Sequence, residues 1–201
     1  MPKFSIIIPA HNSEGYIGKA LYSIIKQSYK DYELIVVCDN CSDDTDETAA
    51  AYGAKVYYTD WGCDGMARNV GIDNATGEWI LFMDDDDSWL HEFCLQQIAE
   101  KIEKEKGIDV LCFSAIHHNS RYAPASIKNI AVWNKAWKRS FIGETRFSPV
   151  QMISDLYFHQ AMLAKEPRYY EWDMPIYYYD YMRTGSQTWR MEQEKRKHVQ
   201  R

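Results

Sequence analysis

The chain has 201 residues, of which 46% are hydrophobic and 26% are charged, and its mean hydropathy is −0.51. These values are typical of a single soluble globular domain, and no apolar run is long enough to predict a membrane span. Because the net charge is −6, we do not expect general binding to nucleic acid. The N-terminus enters a predicted strand directly rather than a signal peptide, so we expect a cytoplasmic protein.

The predicted elements of the first half of the chain alternate between strands and helices. Such alternation implies βαβ units and a mainly parallel sheet flanked by helices. Asn12 or Ser13 is predicted to cap the first helix, and Ser88 the fourth. The strands are predicted over residues 3–9, 32–37, 55–58, 79–83 and 108–113, and the helices over residues 13–28, 42–53, 65–75 and 88–106.

Cys38 and Cys41 follow the second predicted strand with the C-x-x-C spacing. Five cysteines are an odd number, which argues against a disulfide framework in a cytoplasmic chain. The pair leaves a redox site or half of a zinc site open as an alternative. We favour it least, because a zinc site would require a second close pair.

The apolar run from Trp79 to Met83 ends in consecutive aspartates, Asp84 to Asp87. If the strand continued, Asp84 and Asp86 would point to one face and the two others to the opposite face. Carboxylates that share a crevice repel each other unless a cation neutralises them, and oxygen ligands suit magnesium or manganese. The alternative is that these aspartates only cap the following helix.

Polar residues follow three of the predicted strands, at residues 9–12, 38–40 and 84–87. Ligands of open α/β sheets bind at the carboxyl ends of the strands, so adjacent strands would place these residues in one crevice. A metal ion in an acidic crevice would offset the repulsion between the carboxylates and a diphosphate ligand, and it would stabilise charge on a leaving diphosphate. This combination indicates phosphoryl or glycosyl transfer. The sequence contains no P-loop motif, which excludes that class of nucleotide hydrolase.

The second half of the chain is less regular. Residues 114–129 are predicted to form a loop, and Pro149 is predicted to begin a helix that ends near Ala164. The aromatic residues between Tyr169 and Tyr181 indicate either a strand packed over the domain or an aromatic wall for a sugar or base. Residues 183–201 carry six Lys or Arg and two Glu. This basic tail is interpreted as a solvated helix or as a contact with an anionic membrane surface.

Several segments, taken in order, resemble family-2 glycosyltransferases. The resemblance implies the GT-A fold, which is an α/β fold with a Rossmann-like nucleotide-binding domain. It implies an inverting transfer from a nucleotide-diphosphate sugar, commonly a UDP-sugar, to an acceptor hydroxyl with manganese or magnesium bound. It covers nearly the whole chain, which we divide into a nucleotide-sugar half (1–113), an acceptor half (114–182) and the tail (183–201). The matching segments are 4–12, 36–40, 67–72, 82–87, 132–135 and 154–158.

The resemblance also implies roles for individual residues. Asp155 would be the general base, Asp86 the metal ligand of the D-x-D pair, and Asp39 the acid that reads the nucleobase edge. His11 stands where the family often has Tyr, and Arg183 resembles a C-terminal segment that closes on the diphosphate. The residues expected to bind the nucleotide sugar are Pro9, Ala10, His11, Asn12, Asp39, Arg68, Asp84, Asp85 and Arg183.

Two departures from the family pattern keep other functions open. Cys38 stands where an Asp is usual, and Ser154 where a Glu commonly precedes the base. A metal-dependent nucleotidyltransferase and a catalytically silent nucleotide-sugar-binding module are the alternatives. The acceptor is left open among a glycan, a lipid-linked sugar, a protein and a modified base, as is peripheral contact with the inner membrane face.

Overall fold

The computed structural model describes residues 2–150 and 153–180, and its strands form one sheet. The strands are β1 (Phe4–Ala10), β2 (Tyr32–Asp39), β3 (Lys55–Thr59), β4 (Trp79–Phe82), β5 (Ser88–Trp89), β6 (Val110–His117), β7 (Tyr122–Ala123), β8 (Lys135–Lys138) and β9 (Tyr169–Tyr179). The helices are α1 (Ile17–Ile25), α2 (Thr45–Ala51), α3 (Asp64–Asn74), α4 (Cys94–Lys104), α5 (Arg139–Ile142) and α6 (Ser154–Leu163).

Strand β1 lies between β2 and β4, and β3 lies outside β2, all in parallel. The sheet continues from β4 through β8, β6 and β9 to β5, and β7 pairs with β6. Strands β6 and β9 are parallel, whereas the other pairs of this half are antiparallel. The prediction of a mainly parallel α/β sheet is therefore confirmed, with antiparallel strands added in the second half.

Both faces of the central strands are covered, which explains their continuous apolar runs. Ile6 and Ile8 belong to a core on one face that includes residues of α1 and α4. Ile7, between them, points into a second core that includes residues of α3 and α6. The two cores hold the strands rigidly, so the loops at their carboxyl ends start from fixed positions.

The predicted helix starts were wrong at several places, because tertiary contacts decide them. Helix α1 begins at Ile17 rather than at residue 13, and α6 begins at Ser154 rather than at Pro149. Ser88 does not cap α4 but lies in β5, opposite Tyr178. The first turn of α4 is instead capped by Gln27, whose side-chain oxygen accepts a hydrogen bond of 2.9 Å from Leu95 N.

Two strands of the second half, β7 and β8, were missed by the sequence patterns. Residues 114–117 were also predicted as loop but extend β6. The aromatic segment is a strand, β9, which lies within the sheet between β6 and β5. No helix in the described ranges, 2–150 and 153–180, has the length and apolar character needed to cross a membrane.

Candidate active site

The loops after β1, β2 and β4 meet at one edge of the sheet, as the sequence predicted for the case that these strands are adjacent. His11 Nδ1 lies 2.6 Å from the carbonyl oxygen of Asp39, which joins the first loop to the second. Ser13 Oγ donates a hydrogen bond to Asp85, which joins the first loop to the third. The strand order makes this meeting necessary, because β1 is hydrogen-bonded to both β2 and β4.

Arg68 is the buried centre of a carboxylate cluster, defined as Asp64, Asp84 and Asp155. Its Nη1 lies 2.8 Å from Asp64 Oδ2 and 3.1 Å from Asp155 Oδ1, and its Nη2 lies 2.7 Å from Asp84 Oδ1. The Arg68 side chain is 3% exposed, whereas the three carboxylates are 26–33% exposed. One guanidinium therefore joins the loop after β4 to the first turn of α6.

Burial is the main cause of the raised carboxylate pKa values in the cluster, and the cluster's excess of negative charge adds to these rises. Burial raises the pKa of Asp84 to about 6; Arg68 opposes the rise, while Asp86 and Asp155 add to it. Burial also raises the pKa of Asp155 against the effect of Arg68, and Asp64 adds to this rise. For Arg68, burial lowers the pKa, but the surrounding carboxylates outweigh burial and raise it. The edge is thus a strongly anionic site with one enclosed cation.

A close approach of α3 to α6 brings Asp155 within reach of Arg68. A Cβ atom added at Gly65 would lie 2.6 Å from Ser154 Cβ, so only glycine fits there without a shift. Asn69 holds the segment before α6, because it exchanges two hydrogen bonds of 2.8–2.9 Å with the backbone of Phe147. Sequence reasoning missed Asp64, Gly65 and Asn69, although the spacing of Asp64 and Arg68 is that of a helical ion pair.

Residues 84–87 form a turn, which we call the acid turn, rather than a continued strand. Strand β4 ends at Phe82, and Asp87 N donates to Asp84 O at 3.2 Å. The strict alternation of faces predicted for these residues therefore does not apply. Asp84 binds Arg68, Asp85 accepts from Ser13, and Asp87 is buried against Tyr177. The predicted role of capping the next helix is excluded by β5, which separates this turn from α4.

Asp39 is almost fully buried and holds the loop that precedes α3. It is 4% exposed, and its two carboxylate oxygens accept hydrogen bonds of 3.0 and 2.7 Å from Gly62 N and Cys63 N. Its carbonyl oxygen accepts a hydrogen bond from His11 Nδ1, so that nitrogen carries a proton. The loop after β1 therefore places the His11 imidazole beside Asp39.

The other residues predicted at this edge lie in β1 or form hydrogen bonds to the backbone of the neighbouring loop. Pro9 and Ala10 lie in β1 opposite Val37 and Cys38. Asn12 adopts a φ of 48°, and its Oδ1 accepts a hydrogen bond of 2.8 Å from Ser42 N. Arg183 and the basic tail lie outside the described residues.

The cysteines do not support a redox centre. All five are free, and burial and the neighbouring Cys41 raise the pKa of the Cys38 thiol. A thiol that ionises so poorly is a weak nucleophile. Within the described part of the chain, no group of three or more His, Cys, Asp or Glu side chains is arranged to hold a metal on its own.

The sheet order and the acidic site at its carboxyl edge are typical of the GT-A fold. The chain belongs to glycosyl transferase family 2, whose family model matches residues 5–168. Its fold is similar to that of Staphylococcus aureus TarS 1-349 in complex with UDP-GlcNAc, with a TM-score of 0.82, 26% identity, and coverage of 92% of this chain and 60% of that one.

Curated relatives are similar over part of the chain. Poly(ribitol-phosphate) beta-N-acetylglucosaminyltransferase TarS of Staphylococcus aureus is 35% identical over 135 residues, which is 63% of this chain and 23% of TarS. The GalNAc(5)-diNAcBac-PP-undecaprenol beta-1,3-glucosyltransferase of Campylobacter jejuni is 40% identical over 99 residues, or 45% and 31% of the two chains. The matches thus cover only about a quarter to a third of these relatives.

Proposed function

We propose that this chain transfers a sugar from a UDP-sugar to an acceptor hydroxyl with inversion, with Asp155 as the general base and a divalent metal at Asp86. The observation that carries the proposal is the pair of bonds from Arg68 to Asp84 and Asp155. This link puts the proposed base of α6 beside the acid turn, where the nucleotide would bind. The complex of TarS with UDP-GlcNAc supports a UDP-sugar as donor.

The residues of the acid turn fit magnesium or manganese as a cofactor. Carboxylate oxygens are the ligands that these cations prefer. Burial raises the pKa of Asp84 and of Asp87, and repulsion from Asp86 adds to both rises. A cation at Asp86 would relieve this repulsion. In the described part of the chain no three side chains form a metal site, so the diphosphate and water would supply the other ligands. When bound, the metal would stabilise negative charge on the leaving diphosphate.

The chain's own residues account for the proton transfer in this mechanism. Asp155 would take the proton of the acceptor hydroxyl as that oxygen bonds to the anomeric carbon and the bond from this carbon to the diphosphate breaks. A single displacement inverts the configuration of that carbon. A raised pKa makes the Asp155 carboxylate a stronger base, and its bond to Arg68 holds one oxygen in place.

Asp39 and His11 are proposed to contact the nucleoside. The Asp39 carboxylate is engaged with Gly62 and Cys63, so a nucleobase would use the remaining lone pairs of its oxygens. The relatives' names support an acceptor of the polyol-phosphate or lipid-linked saccharide class. Contact of the tail with a membrane and a cytoplasmic location stay predictions.

Calorimetric titration with UDP, in the presence and absence of Mn²⁺, tests this proposal. We expect nucleotide binding that requires the metal in the natural chain and is lost in Asp86→Ala. Asp73→Ala is the matched control, because Asp73 pairs with Arg146 on the surface, away from the acid turn. Binding that is independent of metal, or equal in Asp86→Ala and the control, would count against the metal assignment. Release of pyrophosphate from UTP and a sugar 1-phosphate, without release of UDP from UDP-sugars, would instead indicate a nucleotidyltransferase.

A further inference from the structure

The aromatic segment β9 contributes one buried hydroxyl to the acid turn. Tyr177 is 0% exposed, and its ring stacks on Trp133 at a centroid distance of 4.7 Å with the planes 15° apart. Its backbone is paired with β6 at Ala115 and with β5 at Trp89. Both the ring and the backbone of Tyr177 are therefore held by neighbours, and its hydroxyl occupies a defined position.

The hydroxyl of Tyr177 is bonded to both ends of the acid turn. It donates to Asp87 Oδ2 at 2.6 Å and accepts from Asp84 N at 3.1 Å. Asp87 in turn accepts a hydrogen bond of 2.7 Å from Asp180 N, at the point where the chain leaves β9. A phenylalanine would fill the same space, and a buried hydroxyl costs free energy unless it is bonded. Both of its partners belong to the turn that carries the proposed donor site.

We propose that Tyr177 is a positioning residue for glycosyl transfer, whose hydroxyl sets the backbone of the acid turn so that Asp84 and Asp86 face the nucleotide sugar. The proposal rests on the function proposed above. Asp84 is held at its side chain by Arg68 and at its amide by Tyr177, so its orientation has two independent supports. At Tyr177, the aromatic segment that the sequence analysis considered as a wall for a sugar or base is therefore buried and supports the acid turn.

The test compares Tyr177→Phe with Tyr32→Phe. The first variant removes only the hydroxyl and keeps the ring on Trp133. In the second, the lost hydroxyl is bonded to Ile24 O at 3.3 Å, and Tyr32 lies at the opposite end of the sheet, beside Phe4. Both substitutions remove one oxygen from a packed tyrosine, so a difference between them reports the position of the hydroxyl.

The first readout is amide hydrogen exchange without ligand, followed by NMR at Asp84 and Asp180. We expect exchange of the Asp84 amide, which loses its acceptor, to become about tenfold faster in Tyr177→Phe and to be unchanged in Tyr32→Phe, since one lost hydrogen bond corresponds to about 1.4 kcal/mol. Exchange of the Asp180 amide, which donates to Asp87 and not to Tyr177, should change less. Unchanged exchange of the Asp84 amide in Tyr177→Phe would overturn the proposal. If Tyr177→Phe does not fold, Asp87→Asn is the second variant, because one amide oxygen cannot accept from both the Tyr177 hydroxyl and Asp180 N. Unchanged exchange at both Asp84 and Asp180 would then overturn the proposal.

The second readout is the affinity for UDP in the presence of Mn²⁺. We expect about tenfold weaker binding in Tyr177→Phe and binding equal to the natural chain in Tyr32→Phe. A lower Tm with unchanged affinity would show a merely structural role and overturn the proposal. Absence of nucleotide binding in the natural chain, with the Asp84 amide still protected by Tyr177, would refute the proposed function while leaving Tyr177 as the support of the acid turn.

Discussion

Replacement of Arg68 by lysine keeps the charge of the carboxylate cluster but removes the planar fork that reaches all of its members. Arg68 binds Asp64 and Asp155 through Nη1 and Asp84 through Nη2. A lysine ammonium is a single point charge on a flexible stem. At this position the ammonium would keep about one of the hydrogen bonds to the carboxylates. Arg68→Lys therefore tests whether the site requires only a positive charge or also the geometry of the guanidinium.

The expected loss of stability follows from these bonds. A hydrogen bond to a charged group contributes about 1.5–3 kcal/mol when buried. The carboxylates are 26–33% exposed, so solvent screens each bond and we take the lower part of this range. Loss of two bonds, at about 1.5–2 kcal/mol each, then costs about 3–4 kcal/mol. The buried Nε of Arg68 has no hydrogen-bond partner in the described residues, so its replacement by carbon offsets only a small part.

Urea unfolding at neutral pH measures this difference, with Arg146→Lys as the matched control. Arg146 pairs with Asp73 at 2.7 Å, but these side chains are 31% and 57% exposed, so we expect a loss of less than about 1 kcal/mol. Transfer activity should fall by about a hundredfold in Arg68→Lys, because Asp84 and Asp155 lose their common support. Equal stability losses in the two variants would refute the interpretation of Arg68 as the centre of the site.

Two further predictions concern other parts of the fold. Burial alone would raise the pKa of Glu33, but Lys55, Ser5 and Thr76 lower it from 4.5 to about 2, so Glu33→Gln should lose about 3 kcal/mol at pH 7. The contribution of ionised Glu33 to stability is fully present above pH 4.5 and is lost as the pH falls towards 2. The free energies of urea unfolding of the natural chain and of Glu33→Gln should therefore converge in acid, and a difference that stays constant with pH would contradict this prediction. Gly65→Ala places a methyl group against Ser154, so we expect a loss of stability of about 1–3 kcal/mol, measured by thermal unfolding, and a lower rate of sugar transfer. Unchanged activity would show that the site tolerates a wider separation of α3 and α6.

The first half of the fold could be predicted because its signals are local. Buried parallel strands such as β1 and β4 are continuous apolar runs, and each is followed by polar residues at the same edge. The adjacency of Asp39 and the acid turn then required only that β1 lie between β2 and β4, which the structure confirms.

The elements that sequence reasoning missed depend on distant partners. Ser88 has the chemistry of a helix cap, but its backbone pairs with Tyr178, far along the chain. Strand β8 is short and is stabilised by pairing with β4 and β6 rather than by its own pattern. Likewise, Arg68 was predicted to lie near the nucleotide, but the enclosure of its guanidinium by Asp64 and Asp155 depends on the contact of α3 with α6.

The most direct test of the proposed mechanism is the turnover of nucleotide sugars by Asp155→Asn. Asparagine keeps the shape of the side chain but cannot accept the acceptor's proton. A screen of UDP-sugars with the natural chain first identifies the donor, and UDP release and donor affinity are then compared in the two proteins. We predict that Asp155→Asn binds the donor as the natural chain does and loses transfer by at least about a hundredfold. Turnover equal to that of the natural chain would contradict the assignment of Asp155 as the base.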